Sequence, residues 1–190
     1  SESWVVFAVL SILSLMLLSL TNANTILISI CFGLMIVVYP LTKRFFIGPQ
    51  IFLGLTFNPT IIVYAMTNEL NNPTMIFLYL AIAAKTIAFD SFYGLCDIED
   101  DKKLGINSTP LWWGSKTLLI IAILQFAVIS FLLIVGLKAE LSSAWYIGII
   151  LLSGFYFYQH QLVSQKNFLL AFKNNHWASL YLLTLSAVSY

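Results

Sequence analysis

Charge is what this sequence has least of. Only 9% of its 190 residues are Asp, Glu, Lys or Arg, against about 25% in a soluble globular domain. With 60% hydrophobic residues and a mean hydropathy of +0.92, the composition excludes a water-soluble fold and places the chain in lipid. Cysteine is nearly absent too. Cys31 and Cys96 form no CxxC pair and have no neighbouring His, which excludes a disulfide framework or a Cys/His metal site and leaves both as small apolar residues. A net charge of +1 makes no case for a nucleic-acid partner. No repeat, low-complexity tract or soluble domain interrupts the chain, so 1–190 reads as one membrane domain. No initiator Met, charged leader or cleavage site precedes the first apolar run, and the sequence reads as the continuation of something longer.

What is present is a series of apolar runs. A membrane helix needs about 20 such residues, and seven stretches qualify or nearly do: 4–20, 25–41, 50–67, 74–95, 117–137, 144–158 and 177–190. Pro40 is expected to end the second, and Asn58-Pro59 to kink or break the third. The seventh is short unless 168–172 belongs to its start. The fold class is therefore all-α, a polytopic bundle of about seven transmembrane helices. Basic residues orient it. Lys43, Arg44, Lys102, Lys103, Lys116, Lys166 and Lys173 fall in loops on one side, and Lys138 alone falls on the other. By the positive-inside rule the first set is cytoplasmic, as are the N-terminus and a loop over 159–176, and the C-terminus faces out. The sequon Asn107-Ser108-Thr109 is then on the wrong side for glycosylation. Lys85 lies mid-span, where an ionisable group is a functional hypothesis by default; against this, it sits about 140° around the helix from Asp90, which favours a structural or snorkelling role.

Five of the eight acidic residues crowd into one stretch, 90–109, DSFYGLCDIEDDKKLGINST. On a helix Asp97 and Asp101 are one turn apart, with Asp90 about 20° to one side of the same stripe. Like charges so placed repel by roughly 0.2 to 0.5 kcal/mol when exposed, and by more where water is scarce, so the stripe asks for a cation. Residues 74–104 can form a single helix roughly 45 Å long, capped by Gly105 and ending on Lys102 and Lys103, which lifts the carboxylates to the cytoplasmic mouth of the bundle. A carboxylate set without His or Cys suits a hard cation such as Mg²⁺, which binds through one or two carboxylates plus substrate phosphates. Lys43 and Arg44 come to the same face, and such cations suit phosphate oxygens. A ligand with a diphosphate head and a hydrocarbon tail fits such a mouth. The plainer reading is a solvated loop whose Lys43-Arg44 pair serves only as a topology signal.

Three segments carry a family resemblance. DSFYGLCDIEDDKKLGINST resembles the second aspartate-rich motif of the UbiA-type membrane prenyltransferases, YPLTKRFFIGPQIFLGLTF resembles their YPxxKRxxxxPQxxLGxxF segment, and FLLAFKNNHW resembles their FxAFxxNNW stretch. The nearest likeness is to members that act on 4-hydroxybenzoate in ubiquinone biosynthesis. The resemblance implies Mg²⁺-dependent transfer of a polyprenyl group from polyprenyl diphosphate to the ring carbon beside the hydroxyl of 4-hydroxybenzoate. It implies Asp97 and Asp101 as metal ligands, with Asp90 opening the motif as a third acidic site residue. Lys43, Arg44 and Lys102 are the implied diphosphate contacts, and the inner (cytoplasmic) membrane is the implied location. Ile98 and Asn107 replace the family's usual Arg and Lys, and Lys85 stands where an apolar residue is usual. The family's first motif, NDxxDxxxD, does not occur in these residues. Measured against the usual nine-helix bundle, the chain reads as its later part. On its own it is expected to have little activity until a segment bearing the first motif is supplied. The alternatives are a non-catalytic membrane remnant, an enzyme of the same type acting on another aromatic acceptor, and, least of all, a channel with an acidic cation site.

Overall fold

The structure is a computed structural model and describes residues 2–189; Tyr190, the expected outer end of the last span, lies outside them. Ten α-helices and one 3₁₀ turn make up the described chain: α1 (Glu2–Ser19), α2 (Ala23–Phe45), α3 (Pro49–Thr56), α4 (Thr60–Met66), α5 (Thr74–Cys96), α6 (Ile98–Leu104), α7 (Thr109–Trp113), the 3₁₀ turn Gly114–Lys116, α8 (Thr117–Lys138), α9 (Ser143–Ser164) and α10 (Phe168–Val188). Ala23–Phe45, Thr74–Cys96 and the run Thr109–Lys138 are long and apolar enough to cross a membrane, and Ser3–Ser19 is a shorter apolar helix. α9 and α10 have the length but carry Tyr, Gln, His and Asn among their apolar residues. Helix is the expected outcome in lipid, because it satisfies every backbone donor and acceptor within the segment.

The central element is α5, which packs against α8, α3 and α10, while α8, α9 and α10 pack on one another. Small residues let it do so. Ala81, Ala84 and Ala88 are buried on its surface, bringing the α5 backbone close to its neighbours, and Phe92 fills the core further along. α1 is the opposite case: among the described residues it packs only against α2, and its Trp, Leu and Val side chains are exposed, as suits a lipid-facing helix.

Four expectations are corrected. Pro40 does not end α2, which continues to Phe45 with the proline inside it. Membrane helices tolerate a proline within a span, and beyond it the Thr42 hydroxyl donates to the Tyr39 carbonyl at 2.6 Å. Residues 74–104 are not one helix. The chain leaves helical geometry at Asp97 (φ −96°, ψ 0°), which closes α5 and opens α6. The expected end near residue 158 and loop over 159–176 are replaced by α9 running to Ser164 and α10 starting at Phe168. Polarity at Gln159 and His160 does not end the helix, because Gln125 hydrogen-bonds both across the bundle, through Gln159 Oε1 and His160 Nε2. Lys173 accordingly belongs to α10 rather than to a loop.

The Asn58-Pro59 break does occur, between α3 and α4, and it is stitched to α5. Asn58 Nδ2 donates to the Tyr79 carbonyl at 2.9 Å, and the Tyr79 hydroxyl donates to the Leu55 carbonyl at 2.7 Å. Gly105 caps α6 in the left-handed conformation (φ 65°), and the Ile106 N–H closes the turn onto the Asp101 carbonyl at 2.9 Å.

Candidate functional site

The acidic stretch and the Lys43 segment meet at one end of the bundle. The Asn107 N–H donates to the Lys43 carbonyl at 2.9 Å, tying the loop after α6 to the end of α2. The buried Gln50, in the first turn of α3, accepts through Oε1 from the Thr109 N–H at 2.8 Å. Thr109 is buried as well, and its hydroxyl pairs with that of Ser91 on α5 at 2.8 Å. Gly94 makes room for this junction: a Cβ there would lie 3.0 Å from Pro110 and 3.2 Å from Gln50 Nε2. Three stretches distant in sequence are thus fastened by three hydrogen bonds around one glycine.

The charged groups sit on this frame. Asp90 is half-buried on α5, Asp97 is half-buried at the break, and Asp101 is buried, 6% exposed, in α6. The one-turn spacing of Asp97 and Asp101 survives the break, because the Asp101 N–H donates to the Asp97 carbonyl at 2.8 Å. The single stripe with Asp90 does not survive as a straight helical face; it bends at Asp97. Lys43 attracts both Asp90 and Asp101, and Asp97 repels both. Burial pushes the Asp101 carboxyl above its ordinary pKa, and Lys43 pulls it back in part. Asp90 also acts on the Tyr39 hydroxyl, one helical turn before Lys43.

The other expected contacts are placed differently. Arg44 and Lys102 are exposed, and no hydrogen bond or ion pair joins either to the acidic residues among the described residues. Lys103 points outward and pairs with Asp100 at 3.3 Å, where both are largely exposed. Lys85 stands in the middle of α5, where a lysine costs about 2.5 to 3.5 kcal/mol to insert, and its ammonium donates to the Ser179 hydroxyl at 2.7 Å. Tyr39, Gln50, Ser91 and Thr109 were not singled out by sequence reasoning. Their signal was available, since all four lie inside the two segments that resemble family motifs, but only contact across the bundle shows their purpose.

Among the described residues, no three His, Cys, Asp or Glu side chains gather closely enough to cage an ion. The donors are nevertheless all hard oxygens, and the buried Ser108 hydroxyl lies near enough to the Asp101 carboxyl to act on it. This set fits Mg²⁺ in the manner that ion prefers, through one or two carboxylates with phosphate completing the shell.

Fold and site together define an integral membrane helical protein whose carboxylates and one lysine gather at one end of the bundle. Residues 1–183 match the UbiA prenyltransferase family, and the chain belongs to that family. It is 36% identical over 183 residues to 4-hydroxybenzoate octaprenyltransferase of Marinobacter nauticus, covering 93% of this chain and 62% of that protein. It is 41% identical over 147 residues to the enzyme of the same name from Alcanivorax borkumensis, covering 75% and 50%. The chain therefore spans between half and two thirds of the length of these relatives. In fold it is similar to the apo structure of a UbiA homolog from Aeropyrum pernix, with a TM-score of 0.84 at 19% identity, covering 98% of this chain and 72% of that one.

Proposed function

We propose that this chain forms the diphosphate-binding part of a single-domain membrane enzyme that transfers a polyprenyl group from polyprenyl diphosphate to 4-hydroxybenzoate in ubiquinone biosynthesis. The observation that carries the reading is Lys43, near enough to act electrostatically on both Asp90 and Asp101 at one end of a family bundle whose relatives bear that enzyme's name. Asp97 and Asp101 would hold Mg²⁺, and Asp90 would complete the acidic face. When bound, the ion supplies neutralisation of charge building on the departing diphosphate. Lys43 adds a point charge toward the same phosphate oxygens, and Arg44 and Lys102 reach them only by turning inward from their exposed positions. Gln50, Ser91 and Thr109 keep the acidic stretch and Lys43 in register, the kind of rigid support that electrostatic catalysis needs. The site would face the cytoplasm from the inner membrane, in keeping with the basic residues around it.

The test uses the full-length protein, with the segment bearing the first aspartate-rich motif supplied, reconstituted in liposomes with polyprenyl diphosphate, 4-hydroxybenzoate and Mg²⁺. Asp97→Asn and Asp101→Asn are each expected to lower the rate by about 10²-fold or more, the scale on which removing a charge-stabilising group acts. Transfer that keeps its rate and Mg²⁺ dependence in both variants would remove the proposed ligands.

A further inference from the structure

The turn from α9 to α10 borders a groove of about 430 Å³, closed on its far side by Cys96 at the end of α5. Lys166 and Asn167 enter it from the turn, and Lys173 from the second turn of α10. The volume lies within the range of small-ligand sites, about 300–1,000 Å³. Both ammonium groups are unpartnered. Among the described residues neither lysine makes an ion pair or a side-chain hydrogen bond, and the one ion pair there joins Lys103 to Asp100.

The turn itself sets the first of these charges in place. Lys166 adopts the left-handed conformation (φ 62°), which at a helix end usually falls to glycine, and the Asn167 N–H closes the turn onto the Leu162 carbonyl at 2.9 Å. Its side chain therefore leaves α9 from a fixed backbone. No side chain caps α10, so the N–H groups of its first turn add partial positive charge on the same side. The acidic neighbour is Asp97, which follows Cys96 and acts on its thiol; an anion in the groove therefore belongs at the lysine side, away from α5.

The rest of the lining is apolar and faces outward. Leu169 and Leu170 are 47% and 49% exposed in the first turn of α10, whereas Phe168 packs inward on the core around Phe92. Where a helix enters the bilayer, such leucines meet acyl chains, and lysines beside them reach back to the level of the phosphate groups. A free phosphate ion would use the charges and leave the leucines in contact with nothing of its own. A phospholipid uses both.

We propose that the groove beside the α9–α10 turn binds one anionic membrane phospholipid, its phosphate held by Lys166 and Lys173 and its acyl chains lying along Leu169 and Leu170. Basic pockets between membrane helices on the cytoplasmic side are the setting in which such headgroups bind. The lipid would fasten the turn at the interface and so fix the depth at which α10 enters the bilayer. Neither lysine belongs to the proposed transferase machinery, so this site stands or falls apart from it.

The test is a lipid titration of the full-length protein, with the segment bearing the first aspartate-rich motif supplied, read by native mass spectrometry in a neutral detergent without Mg²⁺. The probes are phosphatidylglycerol, phosphatidylcholine with the same acyl chains, and glycerol 3-phosphate, with polyprenyl diphosphate as competitor. A lysine near anionic lipid supplies about fivefold in affinity, so the wild type is expected to hold one phosphatidylglycerol about 25-fold more tightly than phosphatidylcholine. Lys166→Gln and Lys173→Gln should each weaken phosphatidylglycerol about fivefold, and together remove the preference, with phosphatidylcholine binding unchanged. Lys116→Gln, which removes a basic residue outside the groove, should change nothing. Equal losses in all three single variants would mean a diffuse attraction of the whole face. Equal affinity for the two lipids would mean a surface blind to charge, and glycerol 3-phosphate bound as tightly as phosphatidylglycerol would mean a free-phosphate site. Each of these results overturns the proposal. Displacement of phosphatidylglycerol by an equal concentration of polyprenyl diphosphate would make the groove part of the substrate's path, and overturns it as well.

Discussion

At Asp101 a carboxylate is buried in the short helix α6, and that burial raises its pKa because the ionised form loses water. A group whose folded pKa lies above its unfolded one stabilises the fold while protonated, and this contribution is lost as pH rises through the folded value. Asp101→Asn is therefore expected to raise the melting temperature at neutral pH, with the gain shrinking as pH falls toward the ordinary carboxyl value of 3.8. Thermal unfolding from about pH 4 to about pH 8 checks this, and a melting difference that does not change with pH would contradict it. The same substitution should slow transfer, so stability and activity are expected to move in opposite directions at this residue. The acidic pattern itself was plain in the sequence. Its uneven burial was not, because burial depends on the turn at Asp97 that sends Asp101 inward and leaves Glu99 and Asp100 exposed.

Between elements, the closest approach that bears on the site is α3 on α5. A Cβ on Gly54 would meet the Ala83 carbonyl oxygen at 2.8 Å and Ile87 closer still, so any larger residue pushes α3 away and carries Gln50 with it. Gly54→Ala is expected to destabilise the protein by about 1 to 3 kcal/mol, the usual range for overpacking, whereas Gly154→Ala, with nothing within 4 Å, should be neutral. Thermal unfolding of both variants in one detergent makes the comparison, and equal melting temperatures would show that α3 can shift without cost. At this scale the apolar runs marked nearly every helix, and Gly105 and the Asn58-Pro59 break were readable as they stand. Helix ends that depend on a partner were not. Pro40 reads as a stop although α2 runs through it to Phe45, and Gln159 reads as a loop residue until Gln125 is found opposite it.

Across the whole molecule the two ends of the bundle differ in charge. One end gathers the links around Asn22, Ala65, Ser142 and Ser189, joined by hydrogen bonds from Asn22 to the Ala65 carbonyl and from Ser142 to the Ser189 carbonyl, and Lys138 is near it. The other holds Lys43, the acidic stretch and Lys166, with the exposed Cys96 beside Lys166 and Lys173. A membrane-impermeant maleimide is expected to label Cys96 from the cytoplasmic face. With Cys96→Ser removing that thiol, the one introduced by Lys138→Cys is expected to react only from the opposite face. Labelling of both positions from one side would reverse or refute the orientation. The bond from Gln50 to Thr109 joins residues 59 positions apart. At a synthesis rate of about 5–20 residues per second, that separation is an interval of about 3 to 12 s. During it, α2 and α3 are already made and Gln50 has no partner, while the acidic stretch is still on the ribosome. The site therefore closes only after the acidic stretch has been made, and a delay in inserting α5 prolongs the time for which the Gln50 amide lacks this partner.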